Sequence, residues 1–151
     1  GDFGVYTRTE LEARAEIAYE AYAKSVNIEA KTMLDMAGKQ IIPAVIKYTT
    51  ALAQSLNAVK SACADADVSV QTELLMETSD LLSDMRIAAA EVQDKLEISG
   101  NIGDMEKRAH FYYDDIIPAM NRLRSAADHL EMIVDKEYWP FPSYGDLIFE
   151  V

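Results

Sequence analysis

Glu106, His110 and Asp114 stand four residues apart, a spacing that sets two carboxylates and an imidazole on one side of a helix and offers up to three ligands to a divalent metal. They fall one position off the apolar stripe of their segment, where a partly solvated charged row is the ordinary expectation. Di-iron bundles need Glu-x-x-His pairs facing inward, and neither His110 nor His129 has a glutamate three residues before it. Glu29 and Asp35 lie inside the most apolar part of the chain, where an unpaired charge is costly. Each must face an arginine such as Arg122 or Arg124, or point to water on an outer side; a catalytic carboxylate is the weaker alternative. Cys63 has no histidine nearby in sequence and no electropositive setting, which argues against a nucleophile. Phe111-Tyr112-Tyr113 suits core and rim packing better than a cofactor box. No Gly-x-Gly-x-x-Gly, P-loop lysine motif or Cys-x-x-Cys is present. No catalytic, cofactor-binding or metal residue is therefore expected within these residues.

The elements that carry these groups are long helices. From Glu10 to Tyr48 the residues Leu11, Ala15, Ala18, Tyr22, Val26, Ala30, Met33, Ala37, Ile41, Ala44 and Tyr48 recur every three or four positions. The pattern continues through Leu52, Leu56 and Val59 to Ala62. Thr7 and Thr9 each have a glutamate three residues on, the capping-box spacing that opens a helix. From Val26 to Tyr48 the apolar positions spread to further faces through Ile28, Leu34, Ile42, Val45 and Ile46, so neighbours on several sides and the centre of the core are expected there. Gly38 and Pro43 interrupt the stretch, and an interior proline costs ~3 kcal/mol, which predicts a kink near Lys39.

Asp65-Ala66-Asp67-Val68-Ser69 has the alternating oxygens of a calcium loop, but Val70 and Met76 stand where that loop needs glycine and a bidentate glutamate. A turn with Asp or Ser capping the next helix is expected instead. A second helix carries Leu75, Thr78, Leu82, Met85, Ala89, Val92 and Leu96 as a bundle seam and ends at Ser99-Gly100-Asn101, residues suited to a left-handed cap. A third opens near Asp104 and carries Met105, Ala109, Tyr112, Ile116, Ala119, Leu123, Ala126, Leu130 and Ile133. Its Pro118 has surroundings like those of Pro43, Ile-Ile-Pro-Ala in both, so the two helices are expected to bend at matching heights. Beyond Lys136, prolines 140 and 142 forbid a helix. Trp139, Phe141, Tyr144 and Phe149 make an apolar tail that either staples onto its own bundle or reaches another domain or subunit; they are the candidate contact surface.

With 151 residues, half of them apolar, the chain can bury a sizeable core as one domain. Its 14 basic against 26 acidic residues give a net charge of −12, which repels phosphate backbones and anionic lipid, so neither nucleic acid nor membrane is expected as a partner. One cysteine excludes an internal disulfide and fits a reducing, cytoplasmic setting. The chain begins Gly-Asp-Phe-Gly rather than with Met, and is expected to be a piece of a longer polypeptide.

Two groups of segments together resemble the C-terminal region of type III glutamine synthetases, the large bacterial form. The first is Glu10-Leu11-Glu12-Ala13-Arg14, then 26–37, then Gln40-Ile41-Ile42-Pro43-Ala44. The second is Pro118-Ala119-Met120, Leu123-Arg124 and the ending 139–151, Trp-Pro-Phe-Pro-Ser-Tyr-Gly-Asp-Leu-Ile-Phe-Glu-Val, which is the more specific part. The resemblance implies a parent enzyme that joins ammonia to glutamate using ATP and a divalent metal such as magnesium, assembled as a dodecamer of two stacked hexameric rings. Its ATP, metal and glutamate sites belong to an upstream catalytic region, and no catalytic residue carries over to this chain.

The expected fold is all-α: an elongated up-and-down helical bundle with kinked long helices and an irregular aromatic C-terminal tail. Residues 1–8 are expected to lead in from a missing upstream region, 9–137 to form the bundle and 138–151 the docked tail. The expected role is non-catalytic, serving domain packing, subunit contacts or active-site access, with the upstream region of the same chain and further copies of it as partners. The alternative is a free-standing acidic helical adaptor or sensor module that binds a partner helix on its apolar seam.

Overall fold

Thr7 opens the first helix. Its hydroxyl accepts the Glu10 amide at 3.3 Å and the Glu10 carboxylate accepts the Thr7 amide at 2.8 Å, so two otherwise unsatisfied donors are met reciprocally. These hydrogen bonds hold the Glu10 carboxyl below the usual carboxylate range. Of the two spacings the sequence offers, the Thr7 one is used; Glu12 instead pairs with Arg8 one turn away. The computed structural model describes residues 4, 6–142 and 146–147.

Helix α1 runs Arg8–Met36, passes through a π-helical turn at Ala37–Ile41 and continues as α2, Ile42–Ala62. Helix α3 runs Ser69–Gly100. The third rod repeats the design of the first, with α4, Met105–Phe111, a π-helical turn at Tyr112–Ile116, and α5, Ile117–Ile133. No strand occurs among the described residues.

The π turns are how the chain accommodates its prolines. A proline within a helix lacks an N–H and pushes its ring against the carbonyl four residues back; for Pro43 that is Lys39, for Pro118 Asp114. In both rods the preceding isoleucine bonds five residues back instead, Ile42 to the Ala37 carbonyl and Ile117 to the Tyr112 carbonyl. Each proline then sits in the first positions of a new α-helix, where its missing donor costs little. The interruption expected near Lys39 is thus a wide turn holding one extra residue.

Three cross-helix pairs fix the arrangement of the first and third rods. Tyr19 meets His110 with ring centroids 6.3 Å apart, the Asn27 amide donates to the Tyr112 hydroxyl at 2.7 Å, and Tyr48 meets Tyr138 at 5.8 Å. The numbers rise together, so these rods are parallel. Between α3 and the third rod they run oppositely, through Glu91–Arg122, Lys95–Asp115 and Ser99–Tyr112. The fold is therefore an up-down-up bundle of three rods. Pro118 lies just beyond Tyr112, the partner of Asn27, and so is level with the stretch from Ala30 to Met33, short of Pro43. The two wide turns are staggered, not level as their matching surroundings suggest.

Ala30, Val45, Val92, Ile116, Ala119 and Leu130 are completely enclosed, and Met85, Leu123 and Ala37 nearly so. Each large side chain among them contributes about 1.5–3 kcal/mol by leaving water. The core is one continuous cluster centred where the three rods overlap. Outside that overlap burial fails. Residues 6–18 are all exposed, including the stripe positions Leu11, Ala15 and Ala18, and between 49 and 77 Leu52 alone is buried. Ile28 and Ile46, expected to meet neighbours, are 64% and 49% exposed; only the inward face of their segment is covered.

The connections differ in detail from expectation. Asp67 accepts the Ser69 amide at 3.0 Å, which caps α3 from two residues away, and Lys60 donates to the carbonyls of Ala64 and Ala66 to close the turn. At the far end Ser99 and Gly100 are still helical and Asn101 is right-handed, with φ −92°. No left-handed cap is required, because the last carbonyls find other donors: the Asn101 side-chain amide on Glu97, and the Asn101 and Ile102 amides on Ile98 and Ser99. Asp104 caps α4 as expected, accepting the Lys107 amide at 2.8 Å.

Candidate functional site

The groups that could do chemistry by spacing stay dispersed. His110 Nε2 lies 3.9 Å from Glu106, with both side chains more than 60% exposed. Asp114 falls within the π turn, which breaks the regular step of four that would align it with them. Among the described residues no three His, Cys, Asp or Glu side chains are placed to hold a metal ion. Glu29 and Asp35 both point to water; Asp35 pairs with Lys39 one turn on, and neither meets Arg122 or Arg124. Arg122 instead grips Glu91 of α3 through Nε at 3.0 Å, and this hydrogen bond holds the Glu91 carboxyl below its usual range. Cys63 is exposed.

In the tail, Trp139 and Phe141 are half-buried against the bundle core and contact each other edge-on, with centroids 6.5 Å apart. Tyr138 packs on Tyr48, whose phenol is pushed up by burial and by the nearby Asp135 charge. Tyr144 and Phe149 lie outside the described residues.

Sequence reasoning did not find the most structured polar feature. The Tyr112 hydroxyl, 97% buried with its side chain, accepts from the Asn27 amide and lies 3.1 Å from Ser99 Oγ, which in turn is 2.7 Å from the Leu96 carbonyl. This chain of polar groups ties all three rods together at the turn between α3 and α4. It forms the inner wall of a cleft of about 440 Å³ between α1, the last turns of α3, and α4. Lys24, Lys31 and Arg108 line the cleft beside Glu20, Gln93 and Glu97. Arg108 is held in place by the Ile102 carbonyl, to which its Nε donates at 2.8 Å. No single segment signals this site, since Asn27, Ser99 and Tyr112 come from three different helices.

A family model described as the glutamine synthetase C-terminal domain matches residues 1–60, which contain α1, the first π turn and most of α2. Over these residues the chain is similar to a glutamine synthetase C-terminal domain. Similarity to curated glutamine synthetases extends over nearly all of the chain. It is 28% identical to one from Bacteroides fragilis (strain YCH46) over 96% of this chain, and 28% identical over the same share to the type-3 glutamine synthetase of Dictyostelium discoideum. A Butyrivibrio fibrisolvens glutamine synthetase is 24% identical over 98% of it. The chain spans only about a fifth of the length of these relatives, 20% to 21%. The similarity thus falls on one part of much longer proteins.

Proposed function

We propose that this domain is a non-catalytic scaffold of an enzyme that joins ammonia to glutamate with ATP and a divalent metal such as magnesium, both bound upstream of it. It packs on the catalytic region of its own chain and on neighbouring subunits of a homo-oligomer, for which the resemblance implies a dodecamer. In this assembly residues 1–8 lead in from the upstream region, 9–137 form the bundle and 138–151 the tail. A single cysteine fits a cytoplasmic enzyme, and no helix among the described residues is long and apolar enough to cross a membrane.

The observation that carries this proposal is the uncovered start of α1. Leu11 and Ile17 are 53% and 66% exposed on a helical arm whose residues 6–18 are all exposed, yet this arm lies within the segment that matches the family. Apolar side chains on a projecting helix lose nothing in the isolated chain and gain by burial against a partner. Trp139 and Phe141 are half spent on their own core, so with Tyr144 and Phe149 they form a second, smaller contact.

The test uses Leu11→Asp combined with Ile17→Asp. In the full-length enzyme the pair of changes is expected to disrupt assembly in gel filtration and lower glutamine formation. In the isolated chain helicity and melting temperature should stay as they were. Normal assembly of the doubly substituted enzyme would overturn the proposal.

A further inference from the structure

We infer that the cleft between α1, the end of α3, and α4 is a binding site for a small oxyanion, a carboxylate or phosphate group, gripped by Lys31 and Arg108 with Asn27 as a neutral donor. This goes beyond the scaffold role and stands on the cleft alone.

Charge compensation is the first ground. Carboxylates outnumber basic residues 26 to 14 in this chain, yet the cleft is lined by three cations, Lys24, Lys31 and Arg108, against two carboxylates, Glu20 and Glu97. Two of these three cations have no carboxylate partner among the described residues. Arg108 spends its Nε and one terminal nitrogen on the neutral Ile102 carbonyl, and Lys31 makes no ion pair among the described residues. The cleft's carboxylates do not make up the difference. Glu20 stands 3.9 Å from Lys24, and Glu97 accepts from Gln93 at 3.4 Å. The cleft thus carries a net charge of +1, a concave positive site in a strongly acidic protein.

The second ground is pre-organisation. The Ile102 carbonyl fixes the Arg108 guanidinium, and the Asn27 side chain is fixed by its bond to the buried Tyr112 hydroxyl. A planar guanidinium held at one edge still offers donors matched to a carboxylate or phosphate. The volume, about 440 Å³, suits a small molecule. A cation or ammonium group is disfavoured for a further reason. The end of α3 would attract one through its free carbonyls, but those of Leu96, Glu97, Ile98 and Ser99 are already bonded to Ser99, Asn101 and Ile102.

The experiment is an NMR titration of the 151-residue chain, whose core is continuous, with inorganic phosphate and separately with succinate, ionic strength being held constant with sodium chloride. Saturable shifts are expected at the Arg108 Nε–H, the Asn27 side-chain amide and the backbone amides of 100–108. Saturation by phosphate identifies a phosphate-bearing ligand, and saturation by succinate a carboxylate. Lys31→Gln should weaken the binding roughly tenfold, the loss of one charge-assisted contact. Lys39→Gln, on an exposed lysine outside the cleft, should leave it unchanged. Lys31 is chosen because Arg108 also supports the turn before α4, so its removal could disturb the fold. Linear shifts that sodium chloride reproduces would overturn the inference, as would equal weakening by the two lysine substitutions.

Discussion

Thr78 is the residue at which the core of this domain departs from its own rules. It sits on the seam of α3 between Leu75 and Leu82, is wholly enclosed, and its hydroxyl has no hydrogen-bond partner among the described residues. Helical threonines ordinarily donate to a carbonyl one turn back, as Thr32, Thr50 and Thr72 do here. A buried hydroxyl left unpaired carries a desolvation cost of about 1–3 kcal/mol. Valine has nearly the same shape and no polar atom. Thr78→Val is therefore expected to stabilise the domain by about 1 kcal/mol, read as a higher urea midpoint with an unchanged slope. Destabilisation would mean that the hydroxyl has a partner in solution, such as an enclosed water. Tyr22 presents a milder case on α1: its hydroxyl is also buried and unpartnered, and burial pushes its phenol up, with the charges of Tyr113, Asp114 and Glu29 adding to the effect.

At the level of the elements, the two π turns carry the most consequence. Ala37, Ile41 and Val45 are all buried at successive steps of four, slightly longer than two α-helical turns allow, and the extra residue in the wide turn makes up the difference. Deleting exposed Lys39 together with Pro43→Ala should let 37–41 close as ordinary α-helix with Ile41 and Val45 still facing inward. The double change is expected to cost less than the ~2–5 kcal/mol of a single core truncation. Deleting Ala90 from the regular stretch of α3 should instead turn every later seam residue by about 100° and abolish cooperative unfolding, as thermal melts followed by circular dichroism would show. This contrast explains what the sequence could reveal. The stripes through Val26, Met85 and Leu123 marked three rods, and Thr7 and Asp104 marked two of their starts, because those signals are local. Steps of four look alike in a regular helix and in one with a bulge, so the π turns were hidden even though Pro43 betrayed the place. Ile28 and Ile46 were misjudged because an apolar residue does not say whether a third rod will reach it. The cleft was illegible for a stronger reason: Asn27, Ser99 and Tyr112 are unremarkable in their own segments and meet only once the bundle has formed.

For the molecule as a whole, the unequal lengths of the rods decide the shape. The first, Arg8 to Ala62, would extend roughly 80 Å if straight, whereas the third rod ends near Tyr48, in the first part of α2, where Tyr138 meets it. Three rods overlap only over the central part. Beyond it α2 and the first half of α3 continue as a two-helix hairpin, and in the other direction α1 continues alone. A pair of helices buries one face of each and a lone helix buries none, so stability should fall stepwise from the centre outward. Amide hydrogen exchange is expected to be slowest around Val45, Val92, Ile116 and Leu130, all fully enclosed, faster over 53–75 and fastest over 8–18. If the proposed contact through Leu11 and Ile17 forms in a longer enzyme, 8–18 should become protected there while the centre changes little, because the arm is the most exposed stretch of helix among the described residues. Uniform exchange along α1 in the isolated chain would mean that the arm is already covered, and the contact proposed for Leu11 and Ile17 would lose its physical basis.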